Sequence, residues 1–202
     1  MKLCYSATSP YVRKVTMLAI ETGLDSSIEH VSITSGPMGE IAKLNPLGKV
    51  PTLELDDGNA IYDSPVICEY LDGEHSGTKM IPENKAERLT VLRLQALADG
   101  AMDAGILRML EGRRPENEQS PSWIERQQLA YRQSFDVMEA SVSLFNCDVD
   151  LAQITFCAAI GWFDFRLSSE FNWREDRPAL ADWYAEFSAR PSAMATEPQD
   201  VT

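Results

Sequence analysis

The spacing of apolar residues predicts alternating strands and helices in the first part of the chain. Val12, Val15 and Leu18 recur at helical spacing, whereas residues 28–33 alternate in part as a strand does. Asp57-Gly58, between two apolar runs, is the signal of a tight hairpin turn. The predicted elements are strands at 2–5, 28–33, 52–55 and 60–62 and helices at 10–23, 41–44 and 65–71.

After residue 84 the pattern shows helical periodicity alone. Residues 73–84 are rich in glycine and polar side chains, so we expect a domain boundary there. We therefore expect an α/β domain over residues 1–77 and an all-helical domain over residues 85–202. The predicted helices of the second domain span residues 87–110, 123–144, 150–165 and 178–189.

Two local patterns refine the helix at 150–165. Asp150, followed three residues later by Gln153, is typical of a capping box, in which side chains satisfy backbone N–H groups at a helix start. Trp162, Phe163 and Phe165 lie on the most apolar helix of the chain, so we expect them in the core.

Composition and charge restrict the kind of partner. A net charge of −13 argues against nucleic acid and against an anionic membrane surface, because both need clustered basic side chains. No apolar run reaches the roughly 18 residues of a membrane span. The cysteines have no metal-type or redox-type spacing, and we interpret them as buried thiols in a reducing compartment, the cytoplasm; they are Cys4, Cys68, Cys147 and Cys157.

Residues 45–64 form the most informative stretch. Pro51 lacks an amide N–H, so it belongs at the first residue of a strand, and a cis bond before it would leave the Val50 backbone able to pair with an extended ligand. Asp63, Ser64 and Pro65 have the order of a helix start. Because a helix N-terminus attracts anions, the stretch predicts a small polar cradle for a zwitterionic peptide.

The string Asn45-Pro-Leu-Gly-Lys-Val-Pro-Thr-Leu53, followed by Asp63-Ser64, resembles the glutathione-binding half of the glutathione S-transferase family, in particular its bacterial, serine-type, theta-like members. The resemblance implies the glutathione transferase fold, an α/β thioredoxin-like N-terminal domain followed by an all-α C-terminal domain. It also implies glutathione as co-substrate without a metal, an apolar electrophilic small molecule in a site supplied by the helical domain, a homodimer and a role in detoxification.

Ser9-Pro10-Tyr11-Val12 occupies the turn after the first strand, where thioredoxin-like proteins carry Cys-x-x-Cys. Because Ser9 and Val12 replace both cysteines, thiol–disulfide exchange is not expected at this turn unless another cysteine reaches it. The resemblance implies that Ser9 instead donates a hydrogen bond to the glutathione thiolate, while the helix N-terminus lowers the pKa of that thiol. The alternatives nearby are Ser6, Thr8 and Tyr5.

The same resemblance assigns the other ligand contacts. The Val50 backbone, ahead of Pro51, would bind the cysteinyl part of glutathione, Asp63 and Ser64 the γ-glutamyl end, and Lys49 the glycyl carboxylate. Each has an ordinary alternative: Val50 and Pro51 as the start of any proline-started strand, Asp63 and Ser64 as helix-capping residues, and Lys49 as a solvated turn lysine. Two other functions remain open: a non-catalytic binding or regulatory protein, and a glutathione-dependent peroxidase, isomerase or lyase.

Overall fold

The computed structural model describes residues 1–32, 36, 39–145 and 148–199. The chain forms two compact units, Met1–Glu83 joined by the C-terminal segment from Pro191, and Asn84–Arg190. Cys147, the last residue of the predicted strand at 28–33 and residues 200–202 of the predicted helical domain lie outside the described residues.

A four-stranded mixed sheet is the core of the first unit. Its strands are β1 (Lys2–Tyr5), β2 (Glu29–Ser32), β3 (Thr52–Glu54) and β4 (Ala60–Ile61), in the spatial order β2-β1-β3-β4. β1 pairs parallel with β2 and antiparallel with β3, which in turn pairs antiparallel with β4. The β3–β4 pair confirms the predicted hairpin, and the helical connection between the parallel strands β1 and β2 is a crossover.

Two helices of this unit pack against each other, α1 (Pro10–Glu21) and α2 (Ser64–Gly73). Short 3-10 turns occur at Asp25–Ser27 and Glu40–Lys43. The predicted helix at 41–44 is thus a single tight turn, because a residue that precedes a proline, here Asn45 before Pro46, disfavours the α conformation.

The strand register brings three chain segments to one end of the sheet. Cys4, near the end of β1, pairs with Thr52 at the start of β3. Leu53 pairs with Ile61, so β4 ends beside the start of β3. The loop after β1, the turn before β3 and the chain after β4 therefore leave the sheet at the same end. These segments carry the predicted site residues.

The C-terminal segment returns to the first unit, although the sequence analysis assigns it to the helical domain. Its helix α7 (Pro191–Ala195) packs on α1. Arg13 Nη2 donates to the Ala193 carbonyl at 3.1 Å, and the Ser192 hydroxyl donates to the Glu21 carboxylate. Buried polar groups need such partners, and Arg13 is only 6% exposed, which accounts for this docking.

The second unit contains helices only within its described residues. They are α3 (Lys85–Glu111), α4 (Pro121–Ser141), α5 (Leu151–Leu167) and α6 (Pro178–Phe187), with 3-10 turns at Glu116–Glu118 and Val142–Leu144. α5 is buried on nearly every side and packs against α3. Trp162 and Phe163 are core residues as predicted, whereas Phe165 is half-buried beneath the Arg166 guanidinium.

The start of α5 confirms one half of the predicted capping box. Asp150 Oδ1 accepts a hydrogen bond from the Gln153 backbone N–H at 2.9 Å. The Gln153 side-chain amide, however, donates to the Asp148 carbonyl at 2.8 Å, whereas in a full capping box that side chain would accept from the Asp150 backbone N–H. Through this bond to the Asp148 carbonyl, Gln153 holds the loop that precedes α5 against the start of the helix.

Candidate active site

Ser9 is the N-cap residue of α1. Its Oγ accepts a hydrogen bond from the Val12 backbone N–H at 3.3 Å, and its own backbone N–H donates to the Ser6 carbonyl at 3.1 Å. A hydroxyl carries two acceptor lone pairs and one donor hydrogen, so capping leaves the O–H hydrogen available to a ligand. The capping role and the donor role of Ser9 are therefore compatible.

The neighbouring hydroxyl groups have different surroundings. Ser6 Oγ and Thr8 Oγ1 lie 3.2 Å apart and share a hydrogen bond. The Tyr5 ring stacks on His30, with ring centroids 5.1 Å apart and an interplanar angle of 8°. None of these three residues caps α1, so Ser9 is the hydroxyl that stands at the helix N-terminus.

Val50 precedes a cis peptide bond to Pro51, at the turn that leads into β3. Val50 is half-buried, and its backbone N–H and C=O bond no other backbone group in the described part of the chain. Both groups are therefore suited to pair with the main chain of an extended peptide.

Asn45, the first residue of the motif string, fixes this turn, a role that the sequence analysis did not assign to its side chain. It is 1% exposed, and its side-chain N–H groups donate to the Lys49 carbonyl at 3.1 Å and to Thr52 Oγ1 at 3.0 Å. Its Oδ1 accepts from the Leu47 backbone N–H at 2.9 Å. An asparagine before a proline predicts a turn, but no pattern indicates that its amide holds the residue preceding Val50.

The start of α2 presents a carboxylate and a hydroxyl. Asp63 is the N-cap residue by position, yet its side chain makes no capping hydrogen bond and is exposed. Ser64 follows as the first helical residue and is 2% exposed. The backbone N–H groups of the first helical turn have no partner inside a helix, which favours bound anions. Ordinary capping therefore does not account for Asp63.

Lys49 lies on the exposed turn just before Val50. Its carbonyl is held by Asn45 and by the Thr52 hydroxyl at 2.9 Å. Within the described residues its ammonium group forms no ion pair, so it can meet an anionic ligand group.

Cysteine chemistry of the protein itself is disfavoured at this end of the sheet. Cys4 is 2% exposed, and burial, followed by the nearby Glu54 carboxylate, raises the pKa of its thiol. A raised pKa leaves little thiolate, which is the reactive form. Cys68 and Cys157 are buried as well, and none of these three forms a disulfide.

A cavity of about 160 Å³ lies beside Ser9 within the first unit. Tyr5, Ser9 and His30 contribute to its wall, as do Arg13 and Thr196. Val50, Asp63 and Ser64 are not among the described residues that line it. Ser9 is thus the one predicted site residue that also borders this cavity.

Among the described residues, no group of three or more histidine, cysteine, aspartate or glutamate side chains is arranged to hold a metal ion. In the same residues no helix combines the length and the apolar character needed to cross a membrane.

Two family models match separate parts of the chain. "Glutathione S-transferase, N-terminal domain" matches residues 8–74, and "Glutathione S-transferase, C-terminal domain" matches residues 121–186. The chain is 37% identical over 201 residues to the uncharacterized GST-like protein YibF of Escherichia coli K12. The matched region covers 98% of this chain and 98% of YibF.

Solved structures are similar over nearly the whole length. A glutathione transferase family member from Pseudomonas fluorescens Pf-5, with bound glutathione, is 39% identical with a TM-score of 0.94 and covers 98% of this chain and 99% of that chain. A glutathione S-transferase from Methylobacillus flagellatus KT, with glutathione bound, is 36% identical with a TM-score of 0.91. The match covers 98% of this chain and 99% of that chain. These similarities confirm the predicted thioredoxin-like domain followed by a helical domain.

Proposed function

The chain belongs to the glutathione S-transferase family, and on that premise we propose that it binds glutathione and activates its thiol for attack on an electrophilic small molecule. The reacting centre is the sulfur atom of glutathione, held at the N-terminus of α1. The thiolate forms a new carbon–sulfur bond, and the displaced group leaves with its electron pair.

Ser9 is the catalytic residue in this proposal. Its hydroxyl donates a hydrogen bond to the thiolate while its oxygen keeps the cap on Val12. The N-terminus of α1 adds positive potential at the same point. Both effects stabilise the charged form of the ligand thiol and lower its pKa, which raises the fraction of nucleophile near neutral pH.

The remaining groups hold the peptide. The Val50 backbone pairs with the cysteinyl residue, Asp63 and Ser64 bind the γ-glutamyl end, and Lys49 faces the glycyl carboxylate. Glutathione carries one ammonium group and two carboxylates. An acid suits the ammonium group, and a helix N-terminus and a lysine suit the two carboxylates. The bound glutathione in the Pseudomonas fluorescens protein, 39% identical over almost the full chain, supports glutathione as the ligand.

One observation carries the proposal: the strand register gathers the segments bearing Ser9, Val50 and Asp63 at a single end of the sheet. The Asp63 carboxylate has no capping duty there. A helix N-terminus, an unpaired stretch of backbone and a carboxylate, distant in sequence but adjacent in topology, are suited to a small zwitterionic peptide.

The test combines calorimetric titration with glutathione and a conjugation assay with 1-chloro-2,4-dinitrobenzene. We expect Ser9→Ala to lower kcat/KM by about 100-fold or more, the usual effect of losing one donor to a developing charge, and to leave glutathione affinity within a few-fold. An unchanged kcat/KM would remove Ser9 from its role.

A matched control separates catalysis from helix capping. Ser120 is the N-cap residue of α4 and accepts from the Trp123 N–H at 3.4 Å, as Ser9 does at α1. Ser120→Ala should cost the same cap, about 1 kcal/mol of stability, with conjugation unaffected. Equal losses of activity in both variants would show that a cap, not a thiolate contact, is being measured.

The alternatives give different outcomes in the same experiments. A non-catalytic binding or regulatory protein would bind glutathione weakly or not at all and would conjugate no electrophile. A peroxidase, isomerase or lyase would bind glutathione and depend on Ser9, but would turn over a peroxide or an isomerisable substrate in preference to the haloarene.

We also propose a homodimer located in the cytoplasm with a role in detoxification. The homodimer and the detoxification role rest on the family. The location is supported by three buried cysteines without a disulfide. Light scattering of the purified protein tests the dimer, since a monomer at micromolar concentration would contradict it.

A further inference from the structure

Tyr131, on α4, carries a buried hydroxyl group that forms no hydrogen bond with any of the described residues. The residue is fully buried, and its ring contacts those of Phe163 and Phe171 at centroid distances of 5.1 and 5.0 Å. A hydroxyl that leaves water without gaining a partner is costly, and buried tyrosine hydroxyls usually have one. This oxygen therefore needs a partner that the described part of the chain does not supply.

Arg108, in the last turn of α3, presents a second buried polar atom of the same kind. Its Nη2 forms an ion pair with Glu170 at 2.9 Å, and its side chain is 17% exposed. Its Nε–H, however, is buried and has no acceptor among the residues that the structure describes. A donor on a charged group is costly to bury without an acceptor, so the ion pair satisfies this guanidinium only in part.

α3 meets the Tyr131 ring through Phe163. Gly105 faces this ring, since a Cβ atom at Gly105 would lie 2.8 Å from Phe163 Cζ. Phe163 in turn contacts the Tyr131 ring edge-on. Residues three apart on a helix are neighbours on one face, so Arg108 lies on the face of α3 that points toward Phe163 and Tyr131.

The segment after α5 reaches the same junction. Glu170, the ion-pair partner of Arg108, is next in sequence to Phe171, whose ring contacts Tyr131. Burial is the main cause that raises the pKa of the Tyr131 hydroxyl, but the opposite charges of Glu170 and Arg108 act on it as well. Two buried polar atoms that need partners thus belong to one junction, between α3, α4 and the chain that follows α5.

We propose that this junction binds a single buried water molecule, which accepts from Arg108 Nε–H and forms a hydrogen bond with the Tyr131 hydroxyl. Water suits both groups, because it accepts from the guanidinium and can donate to or accept from a hydroxyl. Buried waters typically serve about two to four otherwise unsatisfied polar groups. The Glu170 carboxylate already balances the charge of Arg108, so a neutral ligand is favoured over an anion.

The Nε atom of Arg177 is the remaining buried side-chain atom without a partner in the described ranges, and its situation differs. Nη1 of this guanidinium donates to the Trp173 carbonyl at 3.1 Å, and Nη2 donates to the Asp136 carboxylate. Both terminal nitrogens are therefore satisfied, whereas the hydroxyl of Tyr131 is the one polar atom of its side chain. The need for a bound water is greatest at Tyr131.

The experiment is a double-mutant cycle on the full-length protein, measured by urea unfolding. We expect Tyr131→Phe to raise the unfolding equilibrium constant about fivefold, as for loss of one hydrogen bond. Arg108→Lys keeps a charge for Glu170 but loses Nε–H, and should have an effect of similar size. Because one water serves both groups, Tyr131→Phe should have little further effect in the Arg108→Lys protein. Tyr70, on α2, is only half-buried, and Tyr70→Phe should leave the constant unchanged.

A Tyr131→Phe protein as stable as wild type, or more stable, would contradict the proposal, because a dry hydroxyl is better removed. Additive effects of the two substitutions would contradict it too, since the groups would then share no partner. A crystal structure of the wild-type protein gives a measurement that needs no variant to fold. We expect an ordered water within hydrogen-bond distance of Tyr131 Oη and Arg108 Nε, and a direct bond between the two side chains or an empty junction would overturn the assignment.

Discussion

Two aspartates at helix starts show how differently the two units use the same residue. Asp63 begins α2 in the sheet unit without any capping hydrogen bond, whereas Asp150 begins α5 in the helical unit and caps it at 2.9 Å. Asp63 is exposed, and burial raises the pKa of Asp150. One carboxylate makes no capping hydrogen bond, which is what we expect of a ligand contact, and the other caps a helix.

The same contrast extends to the surroundings of the two residues. In the sheet unit, polar side chains collect where strands end, and those of Ser9 and Asn45 form hydrogen bonds with the backbone. In the helical unit, five aromatic side chains meet at centroid distances of 4.9–6.0 Å; they are Tyr131, Phe135, Phe163, Phe171 and Trp173. Substitutions in the sheet unit should therefore affect binding, and those in the helical unit should affect stability.

The largest stability effect is expected at Gly105, where α3 meets α5. A Cβ atom there would lie 2.7 Å from Trp162 Cζ3 and 2.8 Å from Phe163 Cζ. We expect Gly105→Ala to lower the free energy of unfolding by about 2 kcal/mol, because overpacking outweighs the gain in helix propensity. Urea titration followed by circular dichroism measures the change.

Gly100 supplies the control on the same helix. A Cβ atom there meets nothing within 4 Å, so Gly100→Ala should raise stability by about 0.5–1 kcal/mol. Glutathione affinity should be the same in both variants. A stabilised Gly105→Ala protein would show that α3 and α5 can separate without cost, contrary to the packing described.

Asn45 and Asn84 form the next pair. Asn45→Ala removes two donors and one acceptor from a buried turn, so we expect a loss of about 1.5 kcal/mol in stability and weaker glutathione binding. Asn84 caps α3 from an exposed position, and Asn84→Ala should cost about 1 kcal/mol without changing the glutathione Kd. Both are measured by calorimetry and urea unfolding.

The glutathione Kd of Asn45→Ala decides whether the Asn45 amide positions the turn that carries Val50. If Asn45→Ala binds glutathione as tightly as the wild type does, the Asn45 amide does not position Val50, and the cradle is held by other contacts.

Much of the fold follows from the sequence because its signals are local. Strand alternation, the Asp57-Gly58 turn and the Ser9-Pro10 helix start each depend on neighbouring residues, and each element lies within a few residues of its predicted bounds. The C-terminal helix packing on α1 was not predictable in the same way. It depends on Arg13 reaching Ala193, a contact between the two ends of the chain that no periodicity records.

The candidate site divides along the same line. Ser9, Val50 and Asp63 could be named from motifs, since each stands beside a proline or a helix start. Asn45 belongs to the same motif string, but the role of its amide could not be predicted, because it arises from a side-chain amide that bonds a carbonyl. The stacking of the His30 ring on Tyr5, across two strands, was not predictable either. Short-range patterns identify residues at turns, whereas cross-strand contacts require the register.

Removing the carboxylates compares the two aspartates directly. We expect Asp63→Ala to raise the glutathione Kd by about tenfold, as for loss of one charge-assisted hydrogen bond, with little change in stability. Asp150→Ala should lower stability by about 1 kcal/mol through loss of the cap and leave the Kd unchanged. If Asp63→Ala lowered stability and Asp150→Ala raised the glutathione Kd, then Asp63 would not be the ligand contact and Asp150 would not be merely a helix cap.

The smallest effect is the pH dependence of Asp150. Burial raises its pKa above the ordinary value of 3.8, although the N–H groups of Gln153 and Ala152 oppose the shift. The folded state then holds the proton more tightly than the unfolded state. The part of the stability that comes from this pKa difference is therefore fully present below pH 3.8 and is lost as pH rises through the folded pKa. Asparagine keeps an oxygen for the Gln153 N–H and does not titrate.

Asp150→Asn should therefore gain stability relative to wild type as pH rises from about 3, and the difference should become constant once the carboxyl is ionised in both states. Urea unfolding of the two proteins between about pH 3 and pH 7 measures this difference, for which we expect less than about 1 kcal/mol. A wild-type advantage that grows with pH would mean that the charged cap outweighs its burial, and the helical unit would then use its aspartate as an anion at a helix N-terminus.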